Sequence, residues 1–176
     1  QPIGAGVSLI GNLRGDWGIP LFSASALPAV DRFFAGGDVA TRGFETDKLR
    51  TEIVRYDVSP AGGGAAFRVI PQGGNIRFLG TLELQFPITT LGGFQWAGAL
   101  FFDAGTIFDR PLLFDLGHDV KCSVGLSLLR LLTPVGPISL EYAVPLTQSL
   151  AEQTWKQEPW YRHWPGLIHF NWGIPI

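Results

Sequence analysis

The chain has 176 residues, of which 46% are hydrophobic, 12% are aromatic and only 16% are charged, and its formal net charge is −2. A soluble domain carries about 25% charged residues, so this composition argues against an ordinary soluble domain, and the lack of a basic run argues against a nucleic-acid partner. No window approaches the roughly 18 consecutive apolar residues of a transmembrane helix, and the single cysteine, Cys122, excludes an internal disulfide framework and a cysteine zinc site.

Six stretches of the chain alternate apolar and polar residues, which predicts β-strands with one apolar and one polar face. In chain order they are 7–19, 74–88, 93–103, 119–129, 138–146 and 166–176. In the clearest of them, Phe78 and Leu84 lie on the apolar face, whereas Arg77 and Glu83 lie on the polar face. Each stretch has about the 9–11 residues that a tilted strand needs to cross a bilayer. The sequence therefore predicts an all-β fold, an antiparallel transmembrane β-barrel.

The period of two also predicts the environment of individual side chains, because one face of a barrel strand meets lipid and the other meets the lumen. The side chains expected to face lipid are Phe78, Leu84, Trp96, Phe102, Leu126 and Tyr142. The side chains expected to face the lumen are Arg77, Glu83, Gln85 and Asp103.

The connections between the predicted strands alternate in length. Residues 20–73, 104–118 and 147–165 form long connections, and residues 89–92 and 130–137 form short ones. Long extracellular loops and short periplasmic turns are typical of outer-membrane barrels, whose smallest bacterial members have about eight strands. We therefore expect residues 1–176 to supply about six C-terminal strands of one larger barrel domain, with the remaining strands and any periplasmic domains upstream of Gln1.

Residues 32–44 carry the most specific motif of the sequence. They read Arg-Phe-Phe-Ala-Gly-Gly-Asp-Val-Ala-Thr-Arg-Gly-Phe, and their Gly-Gly and Arg-Gly-Phe elements resemble the long sixth extracellular loop of the BamA/TamA superfamily of outer-membrane insertases and translocators, the bacterial surface antigen family. Further family-like elements follow in the same order at 73–75, 82–87, 102–105, 133–137 and 140–146. The resemblance covers nearly the whole chain and implies the final strands of a barrel of about sixteen strands.

The same resemblance implies that the long loop folds back into the barrel lumen, where its Arg42 binds acidic residues on the wall. Independently, the alternation places Glu83 and Asp103 on the polar faces of consecutive strands, and a carboxylate can bind a guanidinium bidentately. Gly43 would let the backbone approach closely, and Phe44 would pack on the wall. On the residues alone, the simpler interpretation is that Glu83 and Asp103 are solvated lumen residues and Arg42 is a surface charge.

The resemblance also implies a function without catalysis, cofactor or nucleotide hydrolysis. This function is the assembly and insertion of other β-barrel proteins into the bacterial outer membrane, or the translocation of their segments, with incoming strands templated by β-augmentation at a lateral opening. The implied partners are the lipid bilayer, unfolded outer-membrane protein clients, periplasmic POTRA domains and accessory lipoproteins. A two-partner-secretion exporter and a passive porin or structural barrel are the alternatives.

The last predicted strand, 166–176, would be the gate strand of such a machine. Its Gly166, Gly173 and Pro175 weaken ladder pairing, because proline lacks an amide donor and glycine lowers strand stability. In an ordinary closed barrel the same residues would only end the strand. The chain ends Gly-Ile-Pro-Ile, which differs from the aromatic terminus typical of the family.

The remaining features indicate no further site. The three histidines have no metal-ligand spacing, and no nucleophile and base stand at a usable spacing, so we predict neither a metal site nor an enzyme. Arg50, in the outer part of the long loop, is expected to matter little for its anchoring. The glycine run 62–64 indicates slack in that loop, and the tryptophan-rich segment 155–164 suits the aromatic girdle of a barrel.

Overall fold

The computed structural model of the chain describes residues 2–4, 6–21, 26–37, 41–57, 65–110, 119–133, 136–147 and 166–172. The strands of this part of the chain are β1 Pro2–Gly4, β2 Val7–Trp17, β3 Thr51–Asp57, β4 Ala65–Pro71, β5 Ile76–Leu91, β6 Phe94–Phe108, β7 Lys121–Thr133, β8 Gly136–Pro145 and β9 Leu167–Trp172. One 3-10 turn spans Ala29–Asp31. Within the described ranges, no helix has the length and apolar character needed to cross a membrane.

Most of the strands form one antiparallel sheet. Its order is β1-β2-β5-β6-β7-β8-β9, and β3 and β4 pair separately as a hairpin. Each of the six stretches predicted from the alternation forms a strand of this sheet, which confirms the prediction of an antiparallel β-barrel wall. As far as the structure describes the chain, β1 and β9 lie at opposite edges and the sheet does not close on itself, so this is a partial barrel.

The register of the sheet aligns side chains in rows across the strands. One outer row consists of Leu9, Leu84, Leu100, Leu126, Tyr142 and Ile168. A neighbouring inner row consists of Gln85, Ala99, Ser127, Glu141 and His169. The two faces differ in exposure, since Phe102 is 41% exposed on the outer face while Asp103 is 0% exposed on the inner one. The polar side chains that the sheet buries therefore lie on the concave, inner face.

Three strands continue at least three residues beyond the ends that the sequence predicts. β5 continues to Leu91, which pairs with Phe94, so the turn is Gly92–Gly93 and not residues 89–92. Both glycines have positive φ, 64° and 80°, as a two-residue type I′ hairpin turn requires. β6 continues beyond residue 103 because it pairs with the start of β5, and β7 continues to residue 133 along β8.

The long connection 20–73 also carries secondary structure that the sequence analysis missed. β3 and β4 pair in register from Thr51 with Pro71 to Asp57 with Ala65. β3 reads Thr-Glu-Ile-Val-Arg-Tyr-Asp and has no purely apolar face, whereas β4 reads Ala-Ala-Phe-Arg-Val-Ile-Pro and has almost no polar face. Neither strand therefore shows the alternation of one apolar and one polar face. The glycine run 62–64 between these strands lies outside the described residues.

An apolar cluster joins this loop to the inner face of the sheet. Ala35, Phe44 and Leu49 of the loop pack with Leu79 of β5 and Ile107 of β6, and none of the five is more than 9% exposed. Burial of apolar surface is the main force that favours such a contact. The loop therefore covers part of the inner face, and Ala35, Phe44 and Leu49 lie against the wall.

Candidate functional site

Backbone hydrogen bonds fix the path of the loop on either side of Arg42. Phe33 and Gly74 exchange two of them, with N···O distances of 2.9 and 3.0 Å, and so tie the loop to the chain that enters β5. The amide of Gly37 donates to the carbonyl of Phe44 at 2.9 Å, which closes the tip that carries Arg42. The tip is thereby placed on the inner face of the sheet.

Arg42 binds Asp103 of β6 through three hydrogen bonds. Its Nε donates to Oδ2 at 2.8 Å and its Nη2 donates to Oδ1 at 2.9 Å, a bidentate pairing of guanidinium and carboxylate. The backbone amide of Arg42 donates to Oδ2 as well, at 3.1 Å. Such charge-assisted pairs are roughly twice as strong as neutral hydrogen bonds, so Asp103 fixes both the side chain and the backbone of the arginine.

Two further carboxylates and an aromatic ring complete the surroundings of the Arg42 guanidinium. Its Nη1 donates to Glu83 of β5 at 3.2 Å and to Glu141 of β8 at 3.1 Å. Its central carbon lies 3.4 Å from the centroid of the Phe101 ring, a cation–π contact. Burial alone would lower the pKa of Arg42, but the hydrogen bonds and negative charges of Asp103 and Glu141 outweigh it and raise that pKa above its ordinary value. The buried guanidinium therefore stays charged.

A second arginine, Arg130 of β7, neutralises the carboxylates that Arg42 shares. Its Nη1 and Nη2 donate to the two oxygens of Glu83, and Nη2 also donates to Glu141 at 3.4 Å. Gln85 donates to Glu83 at 2.6 Å. Since a buried charge without partners costs several kcal/mol, this network explains how three acidic side chains can lie under the loop.

Gly43 continues the contact towards the last strands. The carbonyl of Arg42 accepts a hydrogen bond from the Ser123 hydroxyl on β7, and the amide of Gly43 donates to Nε2 of His169 on β9 at 3.5 Å. Together with the three carboxylates, these bonds connect the Arg42–Gly43 dipeptide to each strand from β5 to β9.

The backbone of Gly43 leaves no room for a side chain. Its φ is +95°, and a Cβ atom there would lie 2.9 Å from Cβ of Ser123 and 3.3 Å from the nitrogen of Pro145. Gly105 is similarly confined, since its Cβ would lie 2.7 Å from Oγ1 of Thr41 and 2.9 Å from Cδ2 of Leu49. These glycines let the loop and the wall approach each other closely.

Gly43→Ala should loosen the loop tip and lower the free energy of unfolding by about 1–3 kcal/mol, the usual cost of inserting a methyl group into a packed site. The measurement is protease cleavage within 45–57 in the folded protein, which should become faster. Gly93→Ala is the matched control, because Gly93 also has positive φ, +80°, but no atom lies within 4 Å of the added Cβ. Equal cleavage in the two variants would contradict a role for the contact with β7 and β8 in holding the loop tip.

The structure brings together all five residues that the sequence analysis assigned to the loop site. Arg42 contacts Asp103 and Glu83, Gly43 lies against β7 and β8, and Phe44 is 3% exposed in the apolar cluster. The sequence analysis missed Glu141, Arg130, Ser123 and Phe101 as members of the site. Glu141 and Ser123 are predictable, because they occupy polar-face positions like Glu83, whereas the alternation places Arg130 in a connection.

Other assignments fare differently. Arg50, which is expected from the sequence to matter little for anchoring the loop, makes two hydrogen bonds. It donates to the Gly73 carbonyl at 3.0 Å and to Asp109 at 2.9 Å, and so links the hairpin to the end of β6. Gly166 lies so close to β8 that a Cβ would meet the Ala143 carbonyl at 2.5 Å. Gly173, Pro175 and the tryptophan-rich segment 155–164 lie outside the described residues.

Comparison with known protein families covers almost the entire chain. Residues 1–174 match the family model described as the Omp85 superfamily domain. The match includes every strand of the described sheet, the β3–β4 hairpin and the loop that carries Arg42.

Proposed function

This chain belongs to the Omp85 superfamily, and we propose that it assembles client β-barrel proteins by templating their strands at β9. Members of the superfamily are non-enzymatic outer-membrane β-barrel proteins that insert or translocate other proteins. The clients are unfolded outer-membrane proteins, delivered through periplasmic domains and accessory lipoproteins. In this proposal the outer face of the sheet meets lipid, the β3–β4 loop lies on the extracellular side and the Gly92–Gly93 turn lies in the periplasm.

The observation that carries this proposal is the position of β9 at the edge of the described sheet. Over its described residues β9 pairs with β8, from Ala143 with Leu167 to Ile138 with Trp172. Within the described residues no strand pairs with the other side of β9. An open strand edge offers a row of backbone donors and acceptors, which is the template that β-augmentation requires.

The loop tip supports the same function by holding the wall beside that edge. The Arg42–Gly43 dipeptide binds β5 to β9 from the inside, so the strands next to the opening keep their arrangement while β9 exchanges partners. We propose that Arg42, Gly43, Phe44, Glu83 and Asp103 act as a latch for the loop, and that Gly166, Gly173 and Pro175 keep the pairing of the gate strand weak.

Site-specific photo-crosslinking to a client tests the proposal. A photo-reactive amino acid replaces Phe170 of β9, whose side chain is 65% exposed, in the full-length protein in outer-membrane vesicles, and a radiolabelled unfolded β-barrel precursor is added. The control position is Leu100 of β6, which is 51% exposed on the outer face but lies in the middle of the sheet. We expect crosslinks to the precursor from position 170 and few from position 100.

Equal crosslinking at the two positions, or none at either, would contradict strand templating at β9. The alternative of a passive porin predicts steady open-channel conductance in planar bilayers and no precursor crosslinks. The alternative of a two-partner-secretion exporter predicts crosslinks from a passing substrate to inward-facing positions such as Gln85 rather than to position 170.

A further inference from the structure

We infer that His169 is a positioning residue that couples the last strand to the loop tip, so that displacement of β9 loosens the loop and loosening of the loop frees β9. This inference deepens the proposed function, on which it rests, by assigning a residue to the communication between the two parts. It concerns a contact that lies beside the carboxylate network and outside the strand ladder.

The geometry of His169 places it at the junction of three elements. Its Cα is the ladder partner of Glu141 on β8, and Glu141 in turn binds Arg42 of the loop. Its Nε2 accepts the hydrogen bond from the Gly43 amide at 3.5 Å. Among the described residues, this is the hydrogen bond that links a side chain of β9 to the loop. A shift of β9 away from β8 therefore has a direct effect on Gly43.

The chemistry of the imidazole suits a contact that forms and breaks. To accept from an amide, Nε2 must carry the lone pair, with the proton on Nδ1. The bond is long and neutral, and a neutral hydrogen bond contributes far less than the paired charges around Arg42. The loop is thus anchored strongly to β5, β6 and β8 and weakly to β9, so β9 can leave without removing the anchor.

Coupling of this kind is reciprocal, because a contact present in only one of two arrangements stabilises both of its sides in that arrangement. Binding of a client strand to β9 should speed exchange at the Gly43 amide. Conversely, loss of the acceptor at position 169 should make β9 more available to a client.

The first experiment measures hydrogen–deuterium exchange of the Gly43 amide in the full-length protein in lipid nanodiscs. His169→Leu removes the acceptor, and we expect exchange at Gly43 to rise by about two- to tenfold, the range that one neutral hydrogen bond supports. His169→Gln keeps an acceptor oxygen within reach of the amide and should restore protection. Asn171→Leu, on the same face of β9, is the matched control and should leave Gly43 unchanged. Similar exchange in the leucine and glutamine variants would overturn the inference.

The second experiment repeats the crosslinking at position 170 with the unfolded β-barrel precursor. His169→Leu should increase the crosslinking rate about two- to tenfold, and precursor bound at β9 should speed Gly43 exchange in the unsubstituted protein. Crosslinks without any change at Gly43 would overturn the coupling and leave templating at β9 intact. No crosslinks in any variant would instead overturn the proposed function, while the exchange measurements would still decide whether His169 holds the loop tip.

Discussion

Arg42→Ala is expected to lower the free energy of unfolding by about 3–5 kcal/mol, the usual effect of removing one partner from a buried ion pair. The loss is large because Asp103 is 0% exposed and, among the described loop residues, would keep only the backbone amide of residue 42 as a bond. The energetic cost at Glu83 and Glu141 is smaller, because Arg130 still binds both carboxylates. The measurement is the urea midpoint of the folded band in heat-modifiable gel migration, together with protease access to the β3–β4 hairpin.

The control for this variant is Arg68→Ala, which removes an exposed arginine of β4. Exposed charges contribute about 0–1 kcal/mol, so its midpoint should barely move. Arg50→Ala is unsuitable as a control, because Arg50 binds Gly73 and Asp109. The urea midpoint of Arg42→Lys should lie between those of Arg42→Ala and the unsubstituted protein, since lysine keeps the charge and loses the bidentate geometry. If Arg42→Ala and Arg68→Ala unfold at the same urea concentration, the carboxylate network does not stabilise the barrel.

Gly125→Ala should lower the free energy of unfolding almost as much as Arg42→Ala does, although the substitution adds a single methyl group. A Cβ at position 125 would lie 2.2 Å from Cζ of Phe101 and 2.4 Å from the Tyr142 carbonyl, so both the ring and the backbone of β8 must move. The ring is the one against which the Arg42 guanidinium stacks. We expect a loss of about 3 kcal/mol, at the upper end of the usual cost of overpacking, measured by the same urea titration.

Gly11→Ala is the matched control for a strand glycine, because the nearest atom to its added Cβ is 4.0 Å away. The double variant Gly125→Ala with Phe101→Leu should recover part of the stability, since it relieves the clash with the ring but not the clash with the carbonyl. An unchanged midpoint in Gly125→Ala would mean that the sheet can widen at β7, and the tight contact between Phe101 and Gly125 would then have no energetic role.

The sequence predicts the wall of the barrel well because a half-buried strand must alternate. Leu84, Leu100 and Leu126 lie on the outer face for that reason, and the register between the strands aligns them in one row. Alternation fails where the ladder contains irregularities: register shifts between Ala97 and Ala99, and between Ser127 and Leu129, interrupt the period of two. Strand ends are also set by the partner strand rather than by the residues themselves. For this reason the alternation predicts ends for β5 to β7 that lie several residues before the observed ones.

The loop site is predictable only in part, for a different physical reason. The polar faces of the strands point to Glu83 and Asp103, and the family-like motif points to Arg42, but no local pattern says how many carboxylates one guanidinium can reach. Glu141 joins them because the curved sheet brings β5, β6 and β8 around the same point. The need for glycine at position 43 arises from its contacts with Ser123 and Pro145, which lie far along the chain and leave no local signal.

The contacts of the loop tip also bear on the order in which the chain folds. Counted from residues 42 and 43, the bonded positions on β5, β6, β7, β8 and β9 lie 41, 61, 81, 99 and 126 residues further along the chain. Each of these contacts closes a longer stretch of chain than the one before, and the conformational entropy lost on closure rises with that length. Contacts so distant in sequence form slowly and are favourable only once the intervening hairpins exist. Arg42 therefore docks late in folding, and its burial marks the point at which strands β5 to β9 have come together.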